Sequence, residues 1–153
     1  MPFAFEKLVV YQKALDFADQ ICRNTEQFSR GYGFLVNQLN RAALSIAANI
    51  AEGNGRFTKR DRRHFFGIAR GSAQECAPLL ELALRRGLLT CDSHTILKNQ
   101  LEEVARMLSG LIKLEDRGRS TAAIQSGHPQ RNSIPVRLFD NKHDGAKGKR
   151  CDR

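Results

Sequence analysis

The stretch from Phe34 to Glu52 constrains the fold more than any other part of the chain. Its polar residues Gln38, Arg41, Ser45, Asn49 and Glu52 recur at intervals of three and four, so on a helix they fall into one narrow stripe. Leu35, Leu39, Ala43, Ile46 and Ile50 take the opposite face, and the remaining flank carries Leu44, Ala48 and Ala51 where charges would normally stand. A helix that is apolar around most of its girth is buried on more than one side. The chain has 153 residues, enough for one domain with one core. One side of this helix can face that core while the other faces a second subunit.

Three further helices are expected around it. Leu8, Tyr11, Leu15, Ala18, Cys22 and Thr25 repeat at helical spacing and predict a first helix over about Phe5 to Phe28, followed by a loop at Ser29 to Gly33. Gly53-Asn54-Gly55 predicts a glycine cap that ends the second helix. Thr58 with Asp61 has the spacing of a capping box and opens a third helix to about Arg86, with Phe66, Ala69, Ala73, Cys76, Leu80 and Ala83 as its buried face. Gly67 and Gly71 either admit a second backbone at close range or are simply tolerated. Pro78 lies inside this helix, and an interior proline removes a hydrogen bond, so a kink or break is expected near Gln74 to Ala77.

Gly87 closes the third helix, and Asp92 or Ser93 is expected to cap a fourth. Leu97, Leu101, Val104, Leu108 and Leu111 alternate by four and three along it and form a coiled-coil-like seam that fades at Asp116-Arg117-Gly118. The expected organisation is therefore an all-α, four-helix body over residues 1–117. Residues 118–153 are expected to be a basic, unstructured tail, in which the apolar piece Ile134 to Phe139 either docks onto something or, as favoured here, is incidental.

Composition narrows the function. Aromatic residues make up 7% and Trp is absent, which suits aliphatic helix packing better than a sandwich of sheets. No apolar run approaches the roughly 20 residues that span a bilayer, and the first residues lack a charged leader followed by an apolar block. A cytoplasmic protein without membrane contact is expected. Cys22, Cys76, Cys91 and Cys151 stand far apart with no paired spacing and are read as reduced thiols.

Nothing in the chain has the spacing of a catalytic or metal motif. His64, His94, His128 and His143 form no H-E-x-x-H, there is no G-x-S-x-G, and the glycines at 53 and 55 are not followed by the Lys-Ser/Thr of a phosphate loop. Neither enzyme activity, metal nor cofactor is expected. Glu52 and Glu75 could form an acid/base pair with Arg41 and Asn49 beside them. Polar residues at helical spacing more often bond one another and set packing register, because an unpaired buried polar atom costs about 1–3 kcal/mol. The structural role is the one expected here.

The formal charge is +9, and its distribution matters more than its size. Residues 1–116 carry 16 Lys and Arg against 13 Asp and Glu, whereas residues 117–153 carry 9 against 3. Within the body, Arg56, Lys59, Arg60, Arg62 and Arg63 fall within eight residues at the start of the third helix, opposed only by Asp61. Positive charge at a helix N-terminus works against the helix dipole, so the cluster does not serve that helix. It fits phosphate contacts, with Arg70 as a further candidate, and it fits equally a solvated face that pairs with a neighbouring subunit.

Three segments together resemble a known bacterial family, the 23S rRNA-intervening sequence proteins. They are Phe5-Glu6-Lys7-Leu8 with Tyr11-Gln12-Lys13-Ala14, the block from Gln38 to Gly53 containing Ser45-Ile46-Ala47-Ala48-Asn49-Ile50-Ala51-Glu52-Gly53, and Ile68 to Glu75 containing Ala69-Arg70-Gly71-Ser72. The resemblance covers about residues 3 to 115. It implies an antiparallel up-down four-helix bundle that assembles into a ring-like homopentamer without catalytic activity. It also implies kinship with the accessory protein of diversity-generating retroelements, which binds a reverse transcriptase and nucleic acid. Arg41, Ser45, Asn49, Glu52, Gly53, Gly71, Ser72 and Glu75 are the implied assembly and packing residues. The chain departs from the family at Ser29-Arg30-Gly31, where a Pro-x-Glu turn is usual, at Pro78, and in its tail. The function expected is a homo-oligomeric scaffold contacting nucleic acid, RNA above all, or alternatively an adaptor for a protein such as a reverse transcriptase.

Overall fold

A computed structural model describes residue 1 and residues 3–123, with side chains as far as residue 117. Among these residues the chain is all-α, with four helices and no strand. After a single 3-10 turn at Ala4–Lys7 come α1 (Val9–Thr25), α2 (Gly33–Asn54), α3 (Lys59–Arg85) and α4 (Cys91–Ala123). The second helix packs against α1 and α3, α3 against α4, and α4 returns against α1. One core results, filled by Phe17, Ile21, Leu35, Leu39, Ile46, Ile50, Leu80, Leu97, Val104 and Leu108. Among its buried residues only Phe17 and Phe66 are aromatic.

The third helix follows its sequence pattern closely. Thr58 has extended backbone, its hydroxyl oxygen accepts the Asp61 N–H at 3.1 Å, and its own proton goes to the Asp61 carboxylate at 2.7 Å. All six apolar positions from Phe66 to Ala83 are buried. Pro78 does not break this helix, which is continuous from Lys59 to Arg85. The ring sits on the exposed side, together with exposed Gln74, whose carbonyl would have accepted the missing bond. Water can take that role, so the proline is tolerated where a buried one would not be.

The first helix is rotated from its expected face. Leu15 and Cys22 are exposed, and the core side is Val10, Ala14, Phe17, Ala18, Ile21 and Thr25. Both stripes have helical spacing, and the one carrying the bulkier Phe17 and Ile21 wins the core because it removes more apolar area from water. Leu8 and Tyr11 pack half-buried at its flank. The helix also starts later than expected, because Leu8 has extended backbone after the 3-10 turn.

The helix ends differ in three places. Gly53 does not terminate α2, which continues to Asn54 and closes at Gly55 in right-handed geometry (φ −76°). Gly53 is required for another reason: a Cβ there would come within 2.9 Å of the buried Phe66 ring. Gly87 does adopt the left-handed conformation after α3 (φ +70°). The fourth helix is capped by Thr90 and not by Asp92 or Ser93, the Ser93 N–H donating to the Thr90 hydroxyl at 3.1 Å. That helix runs on past Gly118 to Ala123. The remainder of the expected tail, including Ile134 to Phe139, His128, His143 and Cys151, lies outside the described residues. No helix among the described residues is long and apolar enough to cross a membrane.

Candidate nucleic-acid interface

The polar stripe of α2 lies along the seam with α3. Asn49 Nδ2 donates to the Ser45 carbonyl (2.8 Å) and to Ser45 Oγ (3.1 Å), and the Ser45 and Ser72 hydroxyls lie 2.9 Å apart. Ser72 spends its single proton on the Ile68 carbonyl at 3.1 Å, so Ser45 donates between the two hydroxyls. Ser45, Asn49 and Ser72 therefore form one hydrogen-bond chain between the helices, and Gly53 makes the close contact with Phe66 at the end of the same seam. The other residues of the group lie elsewhere. Arg41, Gly71 and Glu75 are exposed, and Glu52 pairs with Arg56 one turn on. Glu52 stands beside Gly53, which meets Phe66, whereas Glu75 stands about one turn past Ser72, which meets Ser45, so about two turns of helix separate the two carboxylates along the seam. Cys76 behind Glu75 is inert, its thiol pushed up to about 12 by burial and, secondarily, by the Glu75 charge.

The basic cluster divides into two sets. Arg56 is held by Glu52 and lies over the Phe65 ring, 4.6 Å from its centroid. Arg62 reaches Glu115 at 3.3 Å and Arg63 reaches Asp116 at 2.9 Å, two ion pairs that tie the first turns of α3 to the late turns of α4. Lys59, Arg60 and Arg70 are exposed and make no ion pair among the described residues. Half of the cations expected to meet phosphate thus already have a carboxylate.

What replaces them comes from α4. Arg60, Arg63, Gly67, Arg70 and Gln74 recur at three and four residue intervals on the side of α3 next to α4, and Arg106 and Lys113, two turns apart, answer them from α4. Two open troughs of about 690 Å³ and 760 Å³ result. The first is lined by Arg60, Arg63, His64, Gly67, Ile68, Arg70 and Ile112. The second is lined by Arg70, Gln74, Glu102, Ala105, Arg106, Ser109, Gly110 and Lys113, so Arg70 belongs to both. Neither Arg106 nor Lys113 has an ion-pair partner among the described residues. Sequence reasoning missed these two because they are isolated along the chain; their seven-residue spacing was the available signal. Gly67 and Gly71 are not packed against any helix, since a Cβ at either would meet nothing within 4 Å.

No three His, Cys, Asp or Glu side chains come together as metal ligands among the described residues. Elsewhere, Arg85 donates a hydrogen bond to Glu81, which holds the Glu81 carboxyl below its usual range, with the Arg85, His94 and Lys98 charges acting in the same direction.

The model of the 23S rRNA-intervening sequence protein family matches residues 6–110. The chain belongs to this family. A crystal structure of a protein with unknown function from the S23 ribosomal protein family, from Bacteroides thetaiotaomicron VPI-5482, is similar to it with 28% identity and a TM-score of 0.65, over 69% of this chain and 99% of that one. Among curated proteins none matches. The family match ends at residue 110, so Ile112 and Lys113 of the troughs, and the Glu115 and Asp116 carboxylates that hold Arg62 and Arg63, lie just beyond it.

Proposed function

We propose that this member of the 23S rRNA-intervening sequence protein family is a non-enzymatic, homo-oligomeric scaffold that holds RNA on the face shared by α3 and α4. The observation that carries this reading is the pair of adjoining troughs rimmed by Arg60, Arg70, Arg106 and Lys113, none with a carboxylate partner among the described residues, with Lys59 beside them. Backbone phosphates are the complement of such a surface, and their binding releases counterions. The family's name refers to 23S rRNA, which favours RNA among the polyanions.

In this reading the four helices alternate up and down, and copies close into a ring-like pentamer in the cytoplasm through the exposed flank of α2. Leu44, 60% exposed, supports this, standing with exposed Ala48 and half-buried Ala51 where a monomer would carry charge. The Ala48 and Ala51 end of the flank forms a shallow depression with Phe5.

Anisotropy titration of labelled RNA across a salt series tests the function. Five unpaired cations predict a slope of log K against log salt of about −3.5 on a single strand, and Arg70→Ala with Lys113→Ala should flatten it by about 1.4. A flat titration, or none at low salt, removes the reading. In that event an acidic protein surface, such as that of a reverse transcriptase, becomes the occupant, and co-purification from the native host identifies it. A well-folded monomer in sedimentation at micromolar concentration removes the ring.

A further inference from the structure

Phe57 occupies the short link between α2 and α3, and its ring is fully exposed. Its aromatic neighbours are placed differently: Phe66 is buried in the core, and Phe65 is half-buried under the Arg56 guanidinium. A single exposed phenylalanine is ordinary on a protein surface, but this ring is fully open to a partner. Its neighbours along the chain are cationic. Arg56 precedes it, Lys59 and Arg60 follow within three residues, and Arg60 opens the first trough. The troughs have backbone-level floors at Gly67 and Gly110, where a Cβ would meet open space.

An exposed aromatic ring three residues along the chain from Arg60, which lines the first trough, has a specific chemical complement. A single-stranded nucleic acid offers a free base face to the ring and a phosphate chain to the cations, whereas in a duplex the base faces are already covered by their neighbours. From Arg60 to Arg70 the first trough runs about 15 Å along α3, the length of about four stacked nucleotides. We propose, on the basis of the nucleic-acid reading above, that the site takes single-stranded RNA, with one base stacked on Phe57 and the following phosphates laid along Arg60, Arg70, Arg106 and Lys113. Phe57 is then the specificity-determining residue for strandedness, and the trough cations supply affinity without distinguishing sequence.

The test uses the full chain, a labelled oligouridine of about 15 nucleotides and an RNA duplex of the same length. The single strand should bind more tightly than the duplex. Phe57→Leu, which keeps an apolar surface residue but removes the π-face, should weaken single-strand binding roughly tenfold while leaving the salt slope unchanged, and Phe57→Tyr should restore it. A 2-aminopurine placed in the strand should lose its stacking quench in the Leu variant and regain it in the Tyr variant. Equal affinity for duplex and single strand, or an unchanged affinity in Phe57→Leu, overturns this proposal and leaves the broader RNA reading intact. Failure of both RNAs to bind removes the broader reading and this one with it. A changed sedimentation coefficient in Phe57→Leu assigns the ring to a contact between copies and likewise overturns the proposal.

Discussion

The two sides of α3 are built on opposite principles. Toward α2, Ser45, Asn49 and Ser72 are joined by hydrogen bonds and a glycine is forced by the Phe66 ring. Toward α4's outer face, glycines at 67 and 110 look onto open space and Arg70, Arg106 and Lys113 make no ion pair among the described residues. The same residue types, small and polar at helical spacing, thus serve packing on one side and leave a recess on the other. Small residues in a helix therefore do not identify a packed interface; what identifies one is a neighbour that a Cβ would strike.

Substitutions can break or sharpen this contrast. The largest effect is expected for Gly53→Val, whose side chain would enter space held by the Phe66 ring and the Phe65 Cβ; a loss of about 3 kcal/mol in denaturant unfolding is expected, and an unchanged midpoint would mean that the seam yields. Ser72→Ala removes the acceptor for the Ser45 proton and should cost about 1–2 kcal/mol, read in the same way, with Ser45→Ala in the Ser72→Ala background costing clearly less than it does alone. The smallest effect has the opposite sign. Gly71→Ala on the exposed side should raise stability by about 0.5–1 kcal/mol, because helix propensity acts there with no neighbour to oppose it. If Gly71→Ala destabilised the assembled protein instead, Gly71 would be packed against another copy.

Much of the fold was legible in the sequence because periodicity and capping chemistry are local. The α3 face from Phe66 to Ala83 and the Thr58–Asp61 cap are both carried by residues a few positions apart. Where two local patterns compete, the sequence alone decides less well. In α1, Leu15 with Cys22 and Phe17 with Ile21 have equally good spacing, and only the volume available in the core separates them. Thr90 was missed as a cap because Asp92 and Ser93 are comparable capping residues within three positions. Pro78 misled because its cost depends on which side of the helix it faces, a tertiary property. The interface was legible by half. A run of cations near residue 60 is visible in sequence, but its neutralisation by Glu115 and Asp116, and its replacement by Arg106 and Lys113, requires two helices to be brought side by side.

The pairs Arg62–Glu115 and Arg63–Asp116 have one more consequence. They fasten the late turns of α4 to the first turns of α3 with charge, and all four side chains are partly open to solvent. Such a clasp is screened as salt rises, so high ionic strength should loosen these two helix ends at the same trough where counterions would displace phosphate, and Glu115→Gln with Asp116→Asn should reproduce the loosening at low salt.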